Sequence, residues 1–330
     1  METSPPTTPM SVRMCPLCTS RESNCIGLLP VSFLVDFYQR GAGIDVAKYF
    51  QDVHEFELNR CHNCDLRFYW PLRPGDDRFY EKLQELPWYY QDDKPEYHYV
   101  QQYIDRGCKV LEVGCGKGAF STWIPESVSY TGLEFNDAAV TKGRGLGIEI
   151  IRQTIADHIK QTGREYDVVC NFQVLEHVPQ PRTFLEDCIR ALRPGGKLII
   201  AVPAEDSFLQ VAQNEYLNMP PHHLLRWTDD ALRSITTEFG LKLEAIWHEP
   251  VASFHEAWHQ LVLGRFYFSR HRAISNNLIE RSIFNRIVGR LLRVGILRKY
   301  CANKVRRSNS KYEHGHTVVL VASKPDISNV

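Results

Sequence analysis

Lys109-Val-Leu-Glu-Val-Gly-Cys-Gly-Lys-Gly-Ala-Phe120 begins as a short apolar run, breaks into three alternating glycines and resumes as helix. Val110, Leu111 and Val113 have the aliphatic, β-branched character of a buried parallel strand. Gly114, Gly116 and Gly118 let the backbone turn sharply and come close to a ligand, because a Cβ at those positions would occupy the ligand's space. The spacing is G-x-G-x-G. It is neither the G-x-G-x-x-G of dinucleotide sites nor the G-x-x-x-x-G-K-[ST] of phosphate loops, so it points to a nucleotide-type ligand without calling for a pyrophosphate.

Twenty residues beyond Gly114, Ser129-Tyr-Thr-Gly-Leu-Glu134 reads as a second strand ending in an acid. In doubly wound sheets a carboxylate there takes a ribose diol. On these residues the chain resembles the class I S-adenosylmethionine-dependent methyltransferases. The resemblance implies that Glu112 and the Gly114 to Gly118 loop face the methionine part of that cofactor and that Glu134 holds its ribose. Ile148 to Arg152 is the expected third strand. The family often has an acid just beyond it for the adenine amino group, but here stand Gln153 and Thr154, and the nearest acid is Asp157. The adenine contact is therefore left open.

The next signal is Tyr166-Asp-Val-Val-Cys-Asn-Phe-Gln-Val-Leu-Glu-His177, a strand ending near Asn171 followed by a turn into Leu175-Glu-His-Val. This run resembles the corresponding family motif and places Asn171 and Phe172 against the cofactor. Ligands of open parallel sheets bind beyond the carboxyl ends of the strands, so His177 is a candidate general base. Pro181 to Leu192 then reads as an amphipathic helix stopped at Arg193-Pro-Gly-Gly196, with Lys197 to Val202 as the fifth strand. Pro220-Pro-His-His-Leu-Leu-Arg-Trp-Thr228 follows a connection without periodicity, of the kind that forms lids. In the resembled enzymes a Pro-His-His element lies beside the acceptor, which makes His222 and His223 further base candidates. Solvated loop histidines are the plainer reading. Before the first strand, Asp76 to Tyr103 is rich in aromatics. Most suit packing, but the resemblance puts Trp88, Tyr89 and Tyr90 over the cofactor, where ring faces attract a sulfonium.

Cys15-Pro-Leu-Cys18 and Cys61-His-Asn-Cys64 are two C-x-x-C knuckles among ten cysteines. Four thiolates at that spacing suit a closed, structural tetrahedral zinc ion. The N-terminus has neither a basic start nor an apolar run and reads as a disordered tail, and no apolar stretch approaches the ~20 residues of a membrane span. These features lead to an expected cytoplasmic location.

The formal net charge is zero, yet between Arg265 and Glu313 there are thirteen Lys or Arg against two acids. This region separates the sixth strand, Leu241 to His248, from the last, His316 to Ala322. Ile283, Phe284, Ile287, Val288, Leu291 and Leu292 form a broad apolar face there, with Arg286, Arg290 and Arg293 opposite. Such a helix suits internal packing, a homodimer, or an anionic membrane surface, and the expectation adopted is the inner membrane face.

The expected fold is α/β: a seven-stranded, doubly wound, mostly parallel sheet of Rossmann-like methyltransferase type with an N-terminal zinc ribbon and a late basic helical insertion. The expected division is 1–12 tail, 13–75 zinc ribbon, 76–250 methyltransferase domain, 251–313 basic insertion, and 314–330 last strand and tail. Zinc-ribbon chains of this layout resemble bacterial methyltransferases of sugar and polysaccharide biosynthesis, which implies O- or C-methylation of a small-molecule or glycan acceptor. A nucleic-acid methyltransferase is the alternative, but Asn171-Phe-Gln-Val lacks the Asn/Asp-Pro-Pro-Tyr pattern of base amino methylation. A non-catalytic cofactor-binding protein is the third reading.

Overall fold

The computed structural model describes residues 13–86, 91–163, 166–269 and 278–326. The expected N-terminal tail and Trp88, Tyr89 and Tyr90 lie outside the described residues. The N-terminal part holds β1 (Ser23–Pro30), α1 (Val31–Ala42), β2 (Glu55–Cys61) and β3 (Arg67–Trp70), and leads into α2 (Asp77–Gln84) and α3 (Pro95–Val100). Asp76 caps α2 by accepting from the Phe79 N–H at 3.0 Å, which supplies one of the donors that a helix start leaves unpaired.

The main sheet contains β4 (Lys109–Val113), β5 (Ser129–Leu133), β6 (Ile150–Ile151), β7 (Tyr166–Phe172), β8 (Leu192–Pro203), β10 (Lys242–Pro250) and β11 (His314–Ser323), with β9 (Leu225–Arg226) belonging elsewhere. Its order is β10-β11-β8-β7-β4-β5-β6. The pairs from β8 to β6 are parallel, and β11 runs antiparallel between β8 and β10. The expected seven-stranded, mostly parallel α/β sheet is thus the one observed, with β10 and β11 as an antiparallel pair at one edge.

Both faces of this sheet are buried, which is why its strands read as continuous apolar runs and not as alternating ones. Leu111, Val169, Leu198, Ile200 and Leu320 point into one core. Val110, Val168, Ile199, Val319 and Val321 point into the other, with Tyr97, Phe120 and Phe172. Each such side chain contributes about 1.5–3 kcal/mol on burial. Helices α4 (Asp137–Gly145), α5 (Ile155–Thr162), α6 (Pro181–Ala191) and α7 (Asp229–Glu238) connect the strands. Asn136 and Thr228 cap α4 and α7, accepting from Ala139 N–H at 2.9 Å and Ala231 N–H at 3.1 Å.

Two local readings differ. Ala119–Trp123, expected as the first helix of the sheet, is only a 3-10 turn. The Ser121 and Thr122 hydroxyls there donate to the Gly118 and Ala119 carbonyls, competing with backbone pairing. Arg193-Pro-Gly-Gly196 stops α6 as expected but already belongs to β8, because Gly195 and Gly196 pair with Lys324 beyond β11.

The N-terminal sheet has the order β1-β2-β3-β9. Its fourth strand, Leu225–Arg226, comes from beyond the Pro-His-His segment and pairs antiparallel with Arg67–Phe68. A buried Arg226–Glu205 pair at 2.8 Å, joined by Arg67, ties the same junction. The expected boundary at residue 75 is therefore crossed by backbone pairing.

The insertion forms α8 (Glu256–Ser269), α9 (Ile283–Leu291) and α10 (Gly295–Arg306). The broad apolar face expected of α9 is divided. Val288 and Leu292 are buried, Leu292 against Gly264 of α8, while Ile283, Ile287 and Leu291 are exposed, with Val294 and Ile296 just beyond them. No helix among the described residues is long and apolar enough to cross a membrane.

Candidate active site and metal centre

One cavity of about 1140 Å³ opens beyond the carboxyl ends of β4, β5 and β7. At one end lies the glycine loop. Gly114, Gly116 and Gly118 have φ of 76°, 55° and 78°, the left-handed region that disfavours a side chain. Gly114 and Gly116 line the cavity. Gly118 does not; a Cβ there would sit 2.9 Å from Ile148 Cγ2, so this glycine serves packing under the loop.

Glu134 accepts from the N–H groups of Gly116 at 2.8 Å, Phe135 at 2.7 Å and Asn136 at 2.9 Å. Its carboxylate is thereby fixed at the cavity wall, with lone pairs to spare for a diol. Glu112 is buried and accepts from the Tyr130 hydroxyl. Burial pushes its pKa up to about 8, against the opposing pull of that hydrogen bond. A cation beside Glu112 would restore its charge. Gln153 and Thr154 line the next stretch, and Thr154 also caps α5, its hydroxyl accepting from the Asp157 N–H at 2.8 Å. Phe172 lines the cavity as expected, while Asn171 is fully buried within β7 and does not. Gln173 follows at φ 58° and lines the cavity too, strain of a kind that gathers at working sites.

At the other end the structure brings His177, His222 and His223 together. Their ring centroids are 4.5 Å (His177–His222), 4.9 Å (His177–His223) and 4.4 Å (His222–His223) apart. His177 Nδ1–H donates to the His222 carbonyl at 2.7 Å, and His222 Nδ1–H to the Leu217 carbonyl at 2.8 Å. His223 Nδ1 meets Asn218 Oδ1 at 3.0 Å. Burial lowers the pKa of all three, to about 4 for His177, so the imidazoles are neutral at neutral pH.

Sequence reasoning passed over Glu176, which is fully buried with neither carboxyl oxygen hydrogen-bonded. Its Oε1 lies 3.6 Å from His177 Nε2 and 3.9 Å from His223 Nε2. Also missed were the groups that brace the histidine loop from the N-terminal part. Tyr38 of α1 donates to the Tyr216 and Met219 carbonyls at 2.9 and 3.0 Å, and Tyr69 of β3 donates to the Asn218 carbonyl at 3.2 Å. A third wall comes from the end of β10, the insertion and the last strand, with Glu249, Phe254, His255, Trp258 and His316. Nothing in their local spacing distinguishes these residues, since only the tertiary fold brings them to the cavity.

The expected metal ligands Cys15, Cys18, Cys61 and Cys64 are all buried, with their sulfurs within 4.8 Å of one another. Two Sγ···Sγ distances are 3.6 Å (Cys15–Cys64) and 3.5 Å (Cys18–Cys61). A tetrahedron with ~2.3 Å metal–sulfur bonds has edges of about 3.8 Å, so the donor set fits zinc. Hydrogen bonds among the clustered thiols hold Cys61 below its usual range and push Cys15 and Cys64 above theirs, so a bound metal must displace the remaining thiol protons. The knuckles pack in the same core as Leu111, Leu198 and Trp227, and Arg182 of α6 donates to the Leu17 carbonyl at 2.8 Å.

Residues 85–246 match a family model described as a methyltransferase domain. Two similar proteins are the ubiquinone biosynthesis O-methyltransferase of Erwinia tasmaniensis, 31% identical over 147 residues (38% of this chain, 60% of that protein), and that of Proteus mirabilis, 31% identical over 163 residues (42% and 66%). The chain thus spans about three fifths of the length of the curated relatives it matches. Among solved structures, a SAM dependent methyltransferase from Archaeoglobus fulgidus aligns with 69% of this chain and 93% of its own at 18% identity and a TM-score of 0.47.

Proposed function

Residues 85–246 carry a methyltransferase domain, and from that premise we propose that the chain transfers a methyl group from S-adenosylmethionine to a hydroxyl of a small acceptor. The observation that carries this reading is the single cavity joining the Gly114–Glu134 end to the histidine end. Its volume exceeds the ~300–1,000 Å³ of typical ligand clefts, leaving room for a cofactor and an acceptor side by side. The cofactor supplies an electrophilic methyl group on a sulfonium. Glu134 takes the ribose hydroxyls, Glu112 balances the positive charge, and the Gly114 and Gly116 backbone allows close approach. The acceptor lies at the histidine wall, where a neutral imidazole accepts the hydroxyl proton. Tyr80, Phe254 and Trp258 line that end. Holding the two reactants in line supplies much of the rate.

The finer assignment is an acceptor with several hydroxyls, of sugar or glycan class. It rests on the pairing of Trp258, whose Nε1–H donates to Glu215 at 3.0 Å, with the carboxylates Glu215 and Glu249 on one wall. The second reading is a phenolic acceptor, favoured by the names of the similar O-methyltransferases. An assay of demethylated cofactor released with nucleotide sugars and with catechols separates the two.

The cofactor reading has its own test, calorimetry with S-adenosylhomocysteine. Glu134→Ala removes two charged hydrogen bonds of about 1.5–3 kcal/mol each, so affinity falls by roughly a hundredfold or more. Gly116→Val forces a branched residue to φ 55° and also weakens binding. Undiminished binding by both variants overturns the assignment.

A further inference from the structure

We infer that His177, His222, His223 and Glu176 form a second metal site, for a first-row divalent cation such as Zn²⁺, at the acceptor end of the cavity. The inference rests on the proposed function for its setting, but its evidence is separate. One ring nitrogen from each of the three histidines lies within 4.8 Å of the others. The hydrogen bonds of His177 and His222 to carbonyl oxygens, which can only accept, oblige Nδ1 to carry the proton, and His223 is placed in the same way against Asn218 Oδ1. In the neutral tautomer the ligating lone pair is then on Nε2 in all three. This is the outer-shell arrangement by which proteins orient histidine ligands.

Glu176 supplies the independent observation. It is a fully buried carboxyl whose two oxygens have no hydrogen-bond partner, a costly state that an ion relieves. With ~2.1 Å bonds, neighbouring ligand atoms of a tetrahedral site lie about 3.4 Å apart. The distances from Glu176 Oε1 to His177 Nε2 and His223 Nε2, 3.6 and 3.9 Å, lie near that value. Three imidazoles and one carboxylate suit Zn²⁺, Fe²⁺, Co²⁺ or Ni²⁺ and not the all-oxygen preference of Mg²⁺ or Ca²⁺.

The site faces the cavity, unlike the closed thiolate site. A fifth position there receives the acceptor oxygen, and the cation lowers the pKa of that hydroxyl, whose proton passes to solvent. With the imidazoles held as ligands, the cation takes the place of the imidazole as the group that promotes loss of the acceptor proton.

The test is metal counting on the full chain, stripped with chelator and reloaded with Zn²⁺ or Co²⁺. Wild type should bind two ions per chain, and Glu176→Gln and His223→Gln one. Cys61→Ser should keep an ion whose Co²⁺ spectrum shows visible d–d bands without thiolate charge transfer. Asn218→Ala, which frees His223, should weaken that Co²⁺ site by about 10- to 100-fold. One ion per chain in wild type, or thiolate-bound Co²⁺ alone, overturns the inference, and this result depends on no variant folding. S-adenosylhomocysteine binding, followed in parallel, reports on the cofactor end alone, so failure there is distinguishable from failure here.

Discussion

Glu112 sits where a carboxyl must choose between a proton and a cation. Its pKa in the ligand-free fold, raised by burial to about 8, exceeds the ordinary 4.5. The folded state therefore holds a proton that the unfolded chain gives up, and stability falls as pH rises wherever the native state binds more protons. The contribution is fully present below about pH 4.5 and is lost as pH climbs through about 8, by up to roughly 5 kcal/mol. Glu112→Gln, permanently neutral, should melt with wild type near pH 4.5 and progressively above it toward pH 8, while binding the cationic cofactor more weakly. Melting curves across that range decide it, and a constant gap refutes it. At this scale the sequence was legible where one backbone property was required. Gly114, Gly116 and Glu134 line the cavity, whereas Gly118 and Asn171, each from one of the two motifs, face the packing. Which side of a strand or loop a residue presents depends on neighbours such as Ile148 that the motif does not contain.

Among the elements, the strands of the main sheet were readable because burial on both faces leaves long aliphatic runs, and α4 and α7 because Asn136 and Thr228 announce their starts. The histidine loop was readable as histidines but not as a braced structure. Tyr38 and Tyr69 hold the Tyr216–Met219 backbone through hydrogen bonds, and neither has a sequence signature beyond being aromatic. Removing one such bond costs about 0.5–1.5 kcal/mol. Tyr69→Phe should therefore raise the acceptor KM severalfold and leave S-adenosylhomocysteine affinity unchanged, measured by kinetics and calorimetry on the same protein. Equal loss of both would mean that Tyr69 acts through general stability. Cys61→Ser, which breaks the thiol cluster, should act in the same direction with greater force, since the knuckles pack in the core shared with Leu111 and Trp227.

For the whole molecule, the charge set apart in sequence is also set apart in space. Arg265, Arg286, Arg290, Arg293 and Arg298 line a groove of about 760 Å³ beside the exposed ridge of Ile283, Ile287, Leu291, Val294 and Ile296, the last 86% exposed. We propose that this face docks on an anionic membrane, the ridge entering the acyl boundary and the arginines taking lipid phosphates. Each Arg contributes on the order of 1 kcal/mol near such a surface, and salt weakens it. Sedimentation with anionic vesicles should show salt-sensitive binding that neutral vesicles lack and that Ile287→Asp with Ile296→Asp abolishes. Concentration-dependent dimers without lipid binding would assign the ridge to a second copy instead. The sequence disclosed the basic helix but not this division, because whether Val288 or Ile287 turns inward is set by where α8 lies.

The four-stranded N-terminal sheet borrows Leu225–Arg226 to finish its edge at Arg67–Phe68. On the ribosome, which extrudes the chain from its N-terminus, the two knuckles are available to bind metal early. The free edge of β3 then stays open until Arg226 emerges, after five strands of the main sheet and their helices have passed. An open strand edge is a template for pairing with other chains, so the delayed fourth strand leaves a window in which the nascent protein is prone to mispairing.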